Sequence, residues 1–130
     1  MRKEDVDRIT EQVIGAAIEV HRALGPGLLE SAYEECLVRE LALRQIPFER
    51  QKPIPLTYKD AVIDIGFRLD LIVSGQVVVE LKAVDALQPI HEAQVLTYLK
   101  LTGKQAALLI NFNTQVLRDG IRRLVMNLQE

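Results

Sequence analysis

Residues 69–82, LDLIVSGQVVVELK, decide how this chain is read. Two apolar runs meet at Ser74-Gly75, a glycine-containing hairpin signal. One carboxylate, Asp70, enters the hairpin; a second, Glu80, leaves it with the ammonium of Lys82 two residues further on. Side chains two apart on a strand share a face, so Glu80 and Lys82 point the same way. Charges set inside LIV and VVVEL runs are costly to bury unless they are paired or bind a metal.

Loop length decides whether the two acids can meet. A two-residue loop at Ser74-Gly75 sets Asp70 opposite Val79 and turns Glu80 away. A three-residue loop, or a bulge, puts Asp70 and Glu80 on one face. A metal shared by both therefore requires an odd-length connection. Spacing alone leaves two readings open. Asp70 and Glu80 could hold a hard cation, with the backbone carbonyl of Leu81 nearby and Lys82 beside the bound water. Alternatively, Glu80 and Lys82 form a structural ion pair at a sheet margin.

Working outward, the strand before the hairpin alternates. Ile63, Ile65, Phe67, Leu69, Leu71 and Val73 form one apolar face, and Asp64, Gly66, Arg68 and Asp70 the other. Gly66 gives room for close approach there. Arg68 is either the ion-pair partner of Asp70 or a phosphate clamp. Val77–Ala83 is apolar on both sides, as a central strand requires. Phe48–Tyr58, broken by Pro53 and Pro55, reads as an edge strand, with a turn at Lys59-Asp60.

Upstream, Ile9, Val13, Ala16, Ala17, Val20 and Leu24 recur at helical spacing, predicting an amphipathic helix over Val6–Leu24. Gly25-Pro26-Gly27 breaks it. A second helix runs from about Leu29 to Arg44, with Cys36 in its apolar stripe and Tyr33 read mainly as packing. Downstream, Pro89 opens a third helix that Gly103 ends, with His91, Gln94 and Tyr98 along one face. Ala106–Phe112 is a buried strand, and Gly120–Met126 leans to strand. His21, near a helix C-terminus, is better explained by the dipole than by catalysis, and catalysis is the lesser reading for His91 as well. Arg118, Arg122 and Arg123 read as solvated surface ahead of a phosphate contact.

The 130 residues fit one domain, 1–130, able to bury a real core. A net charge of −2 excludes a broad basic surface, so any nucleic-acid contact is local. The single cysteine excludes an intrachain disulfide and suits a cytoplasmic location. No apolar run approaches the roughly 20 residues of a membrane span, and the opening MRKEDVDRITEQ is too polar for a secretory signal.

Asp70, nine intervening residues and Glu80-Leu81-Lys82 resemble the D-x(n)-E-x-K signature of the PD-(D/E)XK nuclease superfamily. Gly27-Leu28-Leu29-Glu30-Ser31-Ala32-Tyr33 matches the GxxExxY signature that names one family within it. The run from Glu19-Val20-His21 through Ile110-Asn111-Phe112 resembles that family as well. Leu69 stands where the motif's name has proline, a loose position in the superfamily. The resemblance implies an α/β fold with a restriction-endonuclease-like αβββαβ core, a mixed central sheet flanked by helices. It implies a metal-dependent nuclease hydrolysing phosphodiester bonds, with Mg2+ as cofactor and Mn2+ as substitute. By position, Asp70 and Glu80 would be metal ligands, Glu30 a helix-borne acid reaching the metal directly or through water, and Lys82 the catalytic lysine. Gln94 and Tyr98 resemble the QxxxY motif of the exonuclease-like branch, where they support the site or the substrate strand.

The expected partner is therefore nucleic acid, DNA ahead of RNA, with no membrane; a homodimer would enlarge the small substrate surface. The rival is a catalytically silent nuclease-fold module that binds nucleic acid or a protein partner. Acidic charge and small size favour it, while the complete acid–acid–lysine set is something a binding module does not need.

Overall fold

A computed structural model describes residues 2–64 and 67–127. Two helices open the chain, α1 (Lys3–Leu24) and α2 (Glu30–Leu43). Strands β1 (Phe48–Pro53), β2 (Leu56–Tyr58), β3 (Ala61–Ile63), β4 (Arg68–Val73) and β5 (Val77–Lys82) follow. Then come α3 (Pro89–Thr102), β6 (Ala106–Asn111), a 3-10 turn (Leu117–Gly120) and β7 (Ile121–Val125).

Five strands form one sheet in the order β1-β4-β5-β6-β7. The pairs β1–β4, β4–β5 and β6–β7 are antiparallel, while β5–β6 is parallel and is bridged by α3. A parallel pair needs such a crossover, because no tight turn can reverse the chain twice. Read through α2, β1, β4, β5, α3 and β6, the expected αβββαβ core is present. The fold is α/β, with a mixed sheet flanked by helices.

Both faces of the sheet are covered. Val6, Ile9, Val13, Ala16, Ala17 and Val20 of α1 and Leu37 and Leu41 of α2 pack on Leu71, Val79, Leu81, Leu108 and Ile110. On the other face, Val95 and Leu99 of α3 pack on Ile72, Val78, Ala107 and Leu109. Double coverage explains why Val77–Val79 of β5 and Ala106–Ile110 of β6 run apolar without alternating. α3 begins with Pro89 and ends at Gly103, whose φ of 71° is the left-handed cap expected there. Cys36 is half-buried against the α1–α2 core, as packing alone would have it.

Two stretches depart from the simple pattern. The extended segment Phe48–Tyr58 divides into β1, at the sheet edge, and β2, which pairs only with β3. Lys59 and Asp60 both have positive φ and make the tight turn of that small hairpin. The alternating run expected from Ala61 to Val73 likewise divides between β3 and β4. Ile65, and Gly66 with its proposed room for approach, lie outside the described residues.

Within β4 the single apolar face also fails. Leu71 and Val73 join the α1–α2 core, whereas Leu69 joins the α3 core. Strand alternation would keep Leu69 and Leu71 on one side. The strand therefore changes facing between them, at Asp70. A sheet apolar on both sides accepts either facing, so hydrophobic patterning could not reveal the change.

Candidate active site

The turn between β4 and β5 sets the geometry. Ser74 and Gly75 have φ of 52° and 67°, and the Gln76 N–H bonds the Val73 carbonyl at 3.0 Å. These are the marks of a mirror-image hairpin turn, which glycine makes at no steric cost. The ladder resumes at Val73↔Val77, so Gln76 is an extra residue and the connection is odd. That register continues through Ile72↔Val78 to Leu71↔Val79, and one step further it would bring Asp70 level with Glu80.

Regular pairing with β5 ends at Leu71↔Val79, and each acid takes up a backbone donor at the parted strands. Glu80 Oε1 accepts the Asp70 N–H at 3.1 Å, and Asp70 Oδ2 accepts the Leu81 N–H at 2.8 Å. One oxygen of each carboxylate, Asp70 Oδ1 and Glu80 Oε2, is left outside these backbone bonds. Glu80 is only 6% exposed. Burial, then the neighbouring Asp70 charge, pushes its carboxyl up to about 8. Burial also raises Asp70, with the Glu34 charge adding to it and the Leu81 N–H opposing it.

Lys82 extends the same face of β5. Among the described residues it makes no ion pair, so the structural Glu80–Lys82 bridge is not formed. Its positive charge nevertheless lowers the proton affinity of Asp70, Glu80 and Glu30 together. The chain beyond it is fixed by Asn111, paired with Lys82 across β5–β6 and 1% exposed. Asn111 Oδ1 accepts the Val84 N–H at 3.1 Å, and its Nδ2 donates to the Val84 carbonyl at 2.9 Å.

Glu30 is the first residue of α2, at an exposed helix start where a carboxylate suits the dipole. Desolvation, then the Asp70 charge, raises its proton affinity, and the Lys82 charge opposes them. A family model described as the PD-(D/E)XK nuclease superfamily matches residues 7–124.

The chain belongs to the PD-(D/E)XK nuclease superfamily.

No curated protein and no solved structure matches it significantly. The characteristic activity of PD-(D/E)XK proteins is nuclease hydrolysis, which makes nucleic acid the indicated substrate. No helix of the described residues is long and apolar enough to cross a membrane.

The other residues singled out in the sequence fall unevenly around the acids. Tyr98 of α3 is half-buried, edge-on to Phe67 at 6.3 Å. Burial and the charges of Glu80 and Asp70 keep its phenol protonated beyond the usual range. Gln94, one turn earlier, is exposed on the helix surface. Arg68 is exposed and donates at 3.4 Å to the Gln51 carbonyl; it forms no ion pair with Asp70. Tyr33 is fully buried and stacks on Phe112 at 4.5 Å. Its hydroxyl donates to the Gly25 carbonyl at 2.6 Å and accepts the Leu28 N–H at 3.1 Å. Tyr33 thus pins the turn leading into Glu30 and does not reach the acids.

His21 Nε2 bonds the Thr114 carbonyl at 2.7 Å, and His91 Nδ1 accepts the Gln88 N–H at the start of α3. Both have structural partners. Arg123 pairs with Asp7 of α1, and Arg122 bonds the backbone carbonyls of Asp119 and Ile121.

Among the described residues, no three His, Cys, Asp or Glu side chains are grouped to hold a metal ion. The donor chemistry still suits a hard cation. Glu80 offers a buried carboxylate and Asp70 a half-buried one beside it, a cation would relieve their mutual repulsion, and such ions commonly take one or two protein carboxylates, completing their shell with water.

One acid of the site was missed in the sequence. Glu34, one turn beyond Glu30, is 8% exposed and bonded by Arg50 and Gln51, and its charge is felt at Asp70. An acid four residues from Glu30, inside the apolar Tyr33–Leu37 stripe, was the available signal.

Proposed function

We propose that the protein is a metal-dependent nuclease of the GxxExxY branch, cutting phosphodiester bonds in nucleic acid, DNA ahead of RNA. One observation supports this reading: Asp70 and Glu80 each accept a backbone N–H beside the other, and Lys82, two residues beyond Glu80, makes no ion pair among the described residues. Asp70 and Glu80 would hold Mg2+ or Mn2+, with Glu30 at the rim contributing directly or through water. When bound, such an ion supplies positive charge beside the scissile phosphate and acidifies water.

The chain's own residues supply the rest. Lys82 Nζ orients the attacking water and offsets charge on the phosphoryl oxygens. The water oxygen bonds to phosphorus and releases a proton to solvent as the phosphorus–oxygen bond to the leaving nucleotide breaks, and the leaving oxygen takes up a proton from solvent. Tyr98, held as a neutral phenol, donates a hydrogen bond at the site edge, with Gln94 presented one turn away toward the substrate strand. Arg68, exposed and without a carboxylate partner among the described residues, is available to a phosphate.

The test is cleavage of single-stranded, duplex and structured substrates with Mg2+ or Mn2+. Asp70→Ala and Lys82→Ala each abolish cleavage while keeping a cooperative melt. Wild-type protein inert on every substrate overturns the proposal.

A further inference from the structure

Glu34 is a buried carboxylate that the proposed chemistry leaves without a task. Arg50 Nη2 donates to its Oε2 at 2.8 Å, and Gln51 Nε2 to its Oε1 at 2.8 Å. Arg50 and Gln51 are consecutive residues of β1, and alternation would send them to opposite sides of the sheet. Both reach α2 because Gln51 has φ of 51°, in the left-handed region that a residue with a Cβ rarely adopts.

The irregularity lies beside Asp70. The β1–β4 ladder passes from Arg50↔Leu71 to Lys52↔Leu69 without pairing Gln51 and Asp70 between them. At that level β4 also changes facing, Leu69 going to one core and Leu71 to the other. Two strands thus share one fault, and Glu34 holds both residues that define it on β1. The turned Gln51 backbone also offers its carbonyl to Arg68.

Resting on the reading of Asp70 as a metal ligand, we propose that Glu34 is a positioning residue for Asp70. It tethers Gln51 in the left-handed conformation, and that conformation displaces β4 so that the Asp70 carboxylate meets the Leu81 N–H and faces Glu80. Glu34 acts through Gln51 and touches no substrate.

Gln51 is exposed, so substitutions there leave the core intact. Glycine adopts positive φ freely and needs no tether, whereas a β-branched residue resists it. The variants are Glu34→Ala, Gln51→Val, Gln51→Gly and the double Glu34→Ala/Gln51→Gly. Amide exchange at Leu81 is measured in metal-free protein and Mn2+ affinity by calorimetry. Leu81 exchange is expected to rise about tenfold in Glu34→Ala and Gln51→Val, and to stay at the wild-type rate in Gln51→Gly. Mn2+ binding weakens about tenfold in the first two, in line with lost outer support of a metal ligand, and the double variant recovers most of both losses.

Wild-type Leu81 exchange in Gln51→Val overturns the proposal, as does failure of Gln51→Gly to rescue Glu34→Ala. Should Glu34→Ala not fold, the contrast between Gln51→Val and Gln51→Gly decides alone. Absence of Mn2+ binding by wild-type protein overturns the metal reading instead, while Leu81 exchange still reports on the tether.

Discussion

Asp70 and Glu80 stand opposite each other at the parted ends of β4 and β5, each carboxylate holding a backbone N–H of the hairpin. Two acids so close, one buried and one half-buried, resist ionising together. The Glu80 carboxyl rises from 4.5 to about 8 on folding, so between those values the folded protein binds more protons than the unfolded chain. Unfolding free energy therefore falls as pH climbs through this window. The contribution is complete below 4.5 and lost beyond about 8. Metal-free protein should melt lower at about pH 8.5 than at about pH 5.5, and Glu80→Gln should flatten that slope. Calorimetry across the range checks both.

The same protons must leave before a cation can enter. Mn2+ affinity should increase from about pH 6 to about pH 8, with proton release on binding. Titrations in two buffers of different ionisation enthalpy measure the protons directly. Equal heats in both would contradict the assignment of Glu80 as ligand.

Tyr33→Phe keeps the ring stacked on Phe112 and removes only the hydroxyl that bonds Gly25 and Leu28. Two backbone groups lose their partner, at a cost of about 1–3 kcal/mol. Urea unfolding should show a lower midpoint at unchanged slope. Cleavage should fall too, because the loosened turn carries Glu30.

Gly120→Ala tests the far side of the site. A Cβ at Gly120 would lie 2.2 Å from the Asn111 carbonyl oxygen, and that neighbour is backbone. Either the 3-10 turn or the end of β6 must move, costing about 1–3 kcal/mol or more. Because Asn111 also clamps Val84 just beyond Lys82, activity should drop further than the thermal shift alone explains. Melting and single-turnover cleavage on one preparation separate the two effects.

Much of this fold was legible in the chain. Helical spacing located α1 and α2, Pro89 and Gly103 bounded α3, and the apolar runs Val77–Val79 and Ala106–Ile110 announced a sheet covered on both sides. The acid pair followed from strand arithmetic once loop length was treated as the unknown. Less legible was anything that breaks alternation. Leu69 and Leu71 read as one face because both cores accept leucine. Gln51 carries no glycine to advertise its positive φ. Glu34 went unread, since only tertiary structure brings Arg50 and Gln51 to it. Leu24, counted in the α1 stripe, is 40% exposed because the helix ends there.

The extra residue in the β4–β5 turn has a consequence for how this chain tolerates length changes. Val77, Val78 and Val79 are interchangeable between the two cores, so greasy residues do not tell β5 which way to lie. Deleting Gln76 would therefore yield a neighbouring isomer that folds nearly as well, with Glu80 and Lys82 rotated toward the helical pair α1–α2 and Asp70 left alone. Chemistry would vanish while compactness survived. A single turn residue, far from any acid, thus stores the information that hydrophobic content cannot.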